Sequence, residues 1–150
     1  MTKTTRNIFG ILIFSGALLS CVRSNNSISF KNQDGETGIY ESDVNGAEHI
    51  MLGGRRTYNL KSSPSILLKE FETLKIGDEC YTDELCVDFK LSQKGTLELE
   101  KLMQKNFRKS IYYVIDGTII SIVGCSEINR SGMGQFPIPE FFFDSLFVVK

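Results

Sequence analysis

Between Val87 and Val123 the spacing of apolar residues changes from a period of two to that of a helix and back again, and this order of periods constrains the fold more than any other stretch. Val87, Phe89 and Leu91 alternate with Asp88 and Lys90, the pattern of a half-buried strand. Ser92 then offers an N-cap. From about Gln93 to Phe107, the residues Leu99, Leu102, Met103 and Phe107 share one helical face, with Glu98, Lys101, Gln104 and Lys105 opposite. Arg108 and Lys109 follow the last turn, where positive charge suits the helix dipole. Ser110 to Ile115 reads as a strand, Asp116-Gly117 as a hairpin turn and Thr118 to Val123 as the returning strand. Strand, helix and hairpin in this order define an α+β unit, an antiparallel sheet with one main helix packed on one face.

The flanking segments are less regular. Ile28-Ser29-Phe30 alternates, and Asp34-Gly35, Asn45-Gly46 and Gly53-Gly54 are breaks. His49 to Leu52 and Thr57 to Leu60 are predicted to form a hairpin around Gly53-Gly54-Arg55-Arg56. After Ser63-Pro64-Ser65, the spacing of Leu67, Phe71 and Leu74 predicts a short helix, although the run could begin as a strand. Arg130 to Gly134 reads as a loop and Gln135 to Ile138 as a short strand. Pro139 then permits a helix or a strand through Phe141-Phe142-Phe143 to Val149.

The N-terminus predicts a compartment. Lys3 and Arg6 precede the apolar run Ile8 to Leu19, which closes on Leu18-Leu19-Ser20-Cys21. This is a secretory signal pattern, and the cysteine after a small residue resembles a bacterial lipobox. The resemblance implies cleavage after residue 20 and acylation, such as palmitoylation, of Cys21. An incidental cysteine after an ordinary signal peptide is the plainer alternative. An uncleaved anchor fits poorly, because a spanning helix needs roughly 20 apolar residues. The absence of acidic residues beside Cys21 leans towards the periplasmic face of an outer membrane. The expected organisation is a signal over 1–20, a polar tether over 21–29 and one domain over 30–150.

Removing residues 1–20 leaves 130 of the 150 residues, enough for a core that does not rely on disulfides. Lys3 and Arg6 leave with the signal and no acidic residue does, so the net charge moves from −1 to −3. A mildly acidic domain without a basic run argues against nucleic acid and against electrostatic docking on anionic lipid. In an oxidising compartment Cys80 and Cys86 are candidates for a short-loop disulfide, with two reduced thiols as the alternative. Cys125 lies in an apolar stretch and reads as a small buried hydrophobe.

Residues 87–138 are similar to the head subdomain of the large periplasmic domain of SecD, a subunit of the SecDF protein-translocation accessory complex. The likeness rests on Leu91-Ser92-Gln93-Lys94-Gly95-Thr96 opening a helix, then Asn106 and Lys109, then Tyr112 to Ile115. Asp116-Gly117 and Thr118-Ile119-Ile120-Ser121 follow, and Ile128, Gly132, Gly134, Gln135 and Phe136 complete the order. Residues 66–150 are taken as the SecDF-head-like part. The chain departs from the family at Ser121-Ile122-Val123-Gly124, where Ser-Ala-Pro is usual, and has no second apolar segment of spanning length. The resemblance therefore implies a head-like domain on a lipid anchor, holding an unfolded or exported polypeptide.

No catalytic constellation emerges from the residue types. His49 is the only histidine, and a Ser-His-acid or Cys-His arrangement would have to use it. Gly132-x-Gly134 lacks the strand–helix context of a phosphate loop, and the cysteines and His49 lack zinc-ligand spacing. The sequence therefore assigns no catalytic residue, metal or cofactor. Phe141, Phe142 and Phe143 are the candidate contact residues, since three consecutive aromatics cannot all point inward. The expected function is non-enzymatic binding of a protein at a bacterial envelope. A toxin-neutralising immunity lipoprotein and a cryptic hydrolase using His49 are the alternatives.

Overall fold

The computed structural model describes residues 27–32, 36–77 and 84–150. The fold is α+β and mostly antiparallel, with ten strands, one short 3-10 turn and two helices among the described residues. In chain order these are β1 (Ile28–Phe30), β2 (Gly38–Met51), β3 (Thr57–Leu60), β4 (Ile66–Leu67), β5 (Phe71–Ile76), β6 (Leu85–Leu91) and α1 (Gln93–Lys105). They continue with β7 (Ser110–Ile115), β8 (Thr118–Gly124), β9 (Met133–Ile138), α2 (Glu140–Leu146) and β10 (Phe147–Val149).

The strands form three sheets, where the sequence predicts one. β5, β6 and β9 make an antiparallel sheet with β6 at its centre. β3, β2, β7 and β8 make the second, with β4 added to β2. β1 and β10 pair as a two-stranded ribbon, so Ile28 and Ser29, at the end of the expected tether, belong to the fold. The single expected sheet divides because β6 and the β7–β8 hairpin lie on either side of α1 in sequence and take different neighbours: β6 pairs with β5 and β9, and β7 with β2 and β8.

β2 gives the second sheet its shape. Its first residues, Gly38 to Glu41, pair antiparallel with β7, and its last, Ile50 and Met51, pair parallel with Thr118 and Ile119 of β8. The strand curls far enough to touch both partners because of a large bulge. Ser42 and Ala47 both face Leu60, so Asp43 to Gly46 are extruded, and the Asn45 N–H bonds Asp43 Oδ1 at 3.0 Å. Bulges bend and twist a strand in this way. Asn45-Gly46, expected to break the chain, therefore lies inside one strand. The hairpin around Gly53-Gly54 forms as predicted, with Ile50 opposite Thr57.

β7 is buried on both faces. Ile111, Tyr113 and Ile115 enter the larger core with Val87, Phe89, Leu99, Leu102, Met103 and Phe136. Tyr112 and Val114 enter a smaller core with Tyr40, Leu60 and Ile119, covered by Tyr58 and Met51 of the curled β2–β3 ribbon. This explains the unbroken apolar run of β7, which a strand with one solvated face would not need.

α1 starts as predicted, with Ser92 Oγ accepting from the Gly95 N–H at 3.0 Å. It ends at Lys105, earlier than Phe107. Asn106 Nδ2 donates back to the Leu102 carbonyl at 2.9 Å, and Arg108 takes the left-handed conformation with φ 65°. The chain leaves the helix there, and Phe107 is half-exposed instead of packing on the apolar face. The helix predicted from Leu67, Phe71 and Leu74 is instead β4, a 3-10 turn over Leu68–Glu70, and β5. Leu67 is exposed, and pairing with β6 outweighs the helical spacing. Asp116 and Gly117 both have positive φ, as a two-residue hairpin turn with strands twisted to the right requires.

Candidate binding groove

α2 decides the fate of the three consecutive phenylalanines. Pro139 precedes its first residue and cannot extend β9, and each following side chain is turned about 100° from the last. Phe143 is buried, stacked on Phe147 with ring centroids 5.1 Å apart. Phe142 packs partly on the larger core. Phe141 is 79% exposed, with its ring 4.6 Å from that of Phe142. Of the three expected contact residues, the fold thus presents one to solvent, half-covers one and buries one.

Phe141 and Phe142 stand over a groove of about 410 Å³, lined further by Ile120 and Ile122 of β8 and by Pro137 and Pro139. Met51, Leu52 and Gly53 line it at the β2–β3 turn and also line a second depression with Arg55 and Arg56. The groove is thus flanked by two sheets that are neighbours without sharing a ladder, one ending at β8 and the other at β9. The sequence reading missed Ile120 and Ile122. Their alternation was visible, but it did not disclose that β8 ends a sheet.

The two buried carboxylates lie elsewhere and are already satisfied. Glu41 is 6% exposed. Its Oε1 accepts from Lys61 Nζ at 2.5 Å and Ser65 Oγ at 3.1 Å, and its Oε2 pairs with Lys105 Nζ at 2.7 Å and accepts from Asn106 Nδ2 at 3.1 Å. Burial pushes its pKa up, but donors from Lys105, Lys61, Asn106 and Ser65 outweigh burial and hold it at about 2. Four donors occupy the acceptor positions of one carboxylate, so this residue ties elements together and has no lone pair to give a reactant. Glu70 accepts from Ser92 Oγ at 2.5 Å and sits 3.5 Å from Lys94 Nζ. The Ser92 bond, opposed by burial and aided by the Lys94 charge, lowers its pKa. Sequence reasoning missed both, since neither acid stands in a motif.

His49 is packed, 9% exposed, against Tyr40, and its Nδ1 lies 3.0 Å from the Gly117 carbonyl, to which it donates. It braces the β7–β8 turn. Burial, with the Glu36 charge, raises the Tyr40 pKa to about 12. Cys125 is a buried free thiol whose pKa burial raises. Cys86 is buried and disulfide-bonded, while Cys80 and Cys21 lie outside the described residues. Among the described residues no three His, Cys, Asp or Glu side chains gather to hold a metal ion, and no helix is long and apolar enough to cross a membrane.

Compared with known proteins, the chain matches no family model, no curated protein and no solved structure.

Proposed function

We propose that this chain is a lipid-anchored protein of a bacterial envelope that binds a protein or an exported polypeptide and has no catalytic activity. The observation that carries the binding reading is Phe141, a large apolar side chain 79% exposed beside an apolar groove. A contiguous apolar patch marks a contact site where a lone exposed side chain does not, and Phe141 continues into Phe142, Ile122, Pro137 and Pro139 of the groove. The anchor rests on Lys3, Arg6, the run Ile8 to Leu19 and Cys21, and implies an outer-membrane location facing the periplasm. The likeness to the SecD head rests on the sequence order of β6, α1, β7, β8 and β9, whose strands divide between two sheets. It is a likeness of element order and confers no proton-coupled motion.

In-cell crosslinking followed by recovery of the protein from the envelope tests this reading, with Cys21→Ala as the mislocalised control. Recovery of exported chains or translocase components, lost in Cys21→Ala, supports it. Failure to recover any protein partner overturns it. Recovery of one toxin-like protein, with rescue of toxin-treated cells, would move the assignment to an immunity protein.

A further inference from the structure

The free edge of β8 gives the groove a more specific occupant. β8 is held by β2 only at Thr118 and Ile119. Beyond them the β7–β8 register slips: Val114 faces Ile119 and Tyr113 faces Ser121, leaving Ile120 as the extra residue. A bulge of this kind bends the strand, and β8 parts from β2 at that point. From Ile120 to Gly124 it pairs with β7 alone among the described residues. A side chain at Gly124 would meet no atom within 4 Å, so the sheet face at the end of this segment is uncovered, and no strand among the described residues pairs with its outer edge. Ile120, a 7% exposed member of the larger core, and the half-buried Ile122 of the same segment line the groove together with Phe141.

At the turn end stand two charges. Arg55 and Arg56 form no ion pair among the described residues. The turn that carries them has Gly53 and Gly54 at positive φ, with open space around both. The depression they line shares Met51, Leu52 and Gly53 with the groove. One surface therefore offers main-chain edge groups, apolar contacts, the polar side chains of Ser121 and Glu84 and, at the turn, two arginines without an ion pair among the described residues.

We propose that the groove takes an extended polypeptide segment by strand addition to β8 at Ile120–Gly124, with apolar side chains against Phe141 and Phe142 and an acidic residue at Arg55–Arg56. Strand addition supplies affinity through the main chain and selectivity through alternate side chains and end charge. This inference rests on the protein-binding reading and names the site and its ligand chemistry.

The test uses the full chain in detergent and fluorescent peptides of about ten residues alternating valine and serine. One peptide ends in two aspartates, its twin in two lysines, and a third is the aspartate peptide with alternate backbone amides methylated. The aspartate peptide should bind about tenfold more tightly than the lysine peptide, and the methylated one should lose binding. Phe141→Ser should weaken the aspartate peptide about tenfold, and the Arg55→Glu, Arg56→Glu pair should reverse the charge preference. Circular dichroism identical to the parent excludes misfolding. Equal binding of the two end charges, undiminished binding of the methylated peptide, no binding of the aspartate peptide, or displacement by phosphatidylglycerol vesicles instead of peptide each overturn the inference. A partner crosslinked equally by the parent, Phe141→Ser and the arginine variant overturns the groove assignment while the protein-binding reading stands. Absence of any partner in cells overturns that reading itself.

Discussion

Glu70 and Glu41 are buried to the same extent, each 6% exposed, and they stand at opposite ends of α1. Glu70 meets the N-terminal end through Ser92, the N-cap, where the helix dipole favours a negative charge. A hydroxyl and one lysine are enough there. Glu41 meets the C-terminal end through Asn106 and Lys105, where the dipole opposes it. It takes two lysines, an amide and a hydroxyl to hold it. The difference teaches that the field of the helix sets how many partners a buried carboxylate needs. Glu41 in return joins three parts of the fold, β2, the β3–β4 connection and the end of α1.

The largest test of this contrast is Glu41→Ala, which should cost about 2–3 kcal/mol in urea unfolding. That is below the usual cost of breaking a buried pair, because Lys61 and Lys105 are 40% and 63% exposed and can return to water. A loss under about 0.5 kcal/mol would mean that the donors around Glu41 contribute nothing net.

Acid titration probes the same residue without mutation. The folded pKa of Glu41 is lowered from an ordinary 4.5 to about 2. Its contribution is therefore fully present above about pH 4.5 and is lost as the pH falls towards about 2. Glu41→Gln should flatten the pH dependence of the urea midpoint in that window, and an unchanged slope would place the acid sensitivity elsewhere.

At the other end, Gly95→Ala should destabilise by about 1 kcal/mol, despite the better helix propensity of alanine. A Cβ there would lie 2.8 Å from Glu70 Cβ and 3.3 Å from Leu91 Cβ. Ser92→Ala removes both the cap and the Glu70 bond and should cost about 1 kcal/mol. The smallest effect has the opposite sign. Arg108→Gly should stabilise by about 0.5–1 kcal/mol, because φ 65° suits glycine and, among the described residues, the Arg108 side chain is held only over the half-exposed Phe107 ring. A loss instead would show that the contact with Phe107 matters more than the backbone conformation.

The half of the chain from Val87 onward was legible because its signals are local. Ser92 capping Gly95, the Leu99–Leu102–Met103 face and the Asp116-Gly117 turn each depend on residues a few positions apart. The earlier half was less legible because its structure is set by distant partners. Nothing between Gly38 and Met51 announces a strand of that length, since the extruded Asp43 to Gly46 erase its alternation. Phe71 to Ile76 becomes a strand only because β6 is beside it. The groove was half-legible: three phenylalanines required at least one to face outward, but which one depends on where Pro139 starts α2. The edge of β8 depends on a bulge opposite Tyr113 and Val114 that no residue type marks.

The curl of β2 also orders the events of folding. The β7–β8 hairpin closes through a two-residue turn and can form on its own within microseconds. β2 cannot complete its contacts until that hairpin exists, because it pairs with β7 at one end and with β8 at the other. Joining Ile50 to Thr118 closes a long loop, whose entropy is lost before the contact repays it. The strand that comes early in the chain is therefore placed late, after synthesis has delivered β8: truncation before Thr118 would leave the end of β2 without β8, and truncation before Ser110 would leave it without β7 as well.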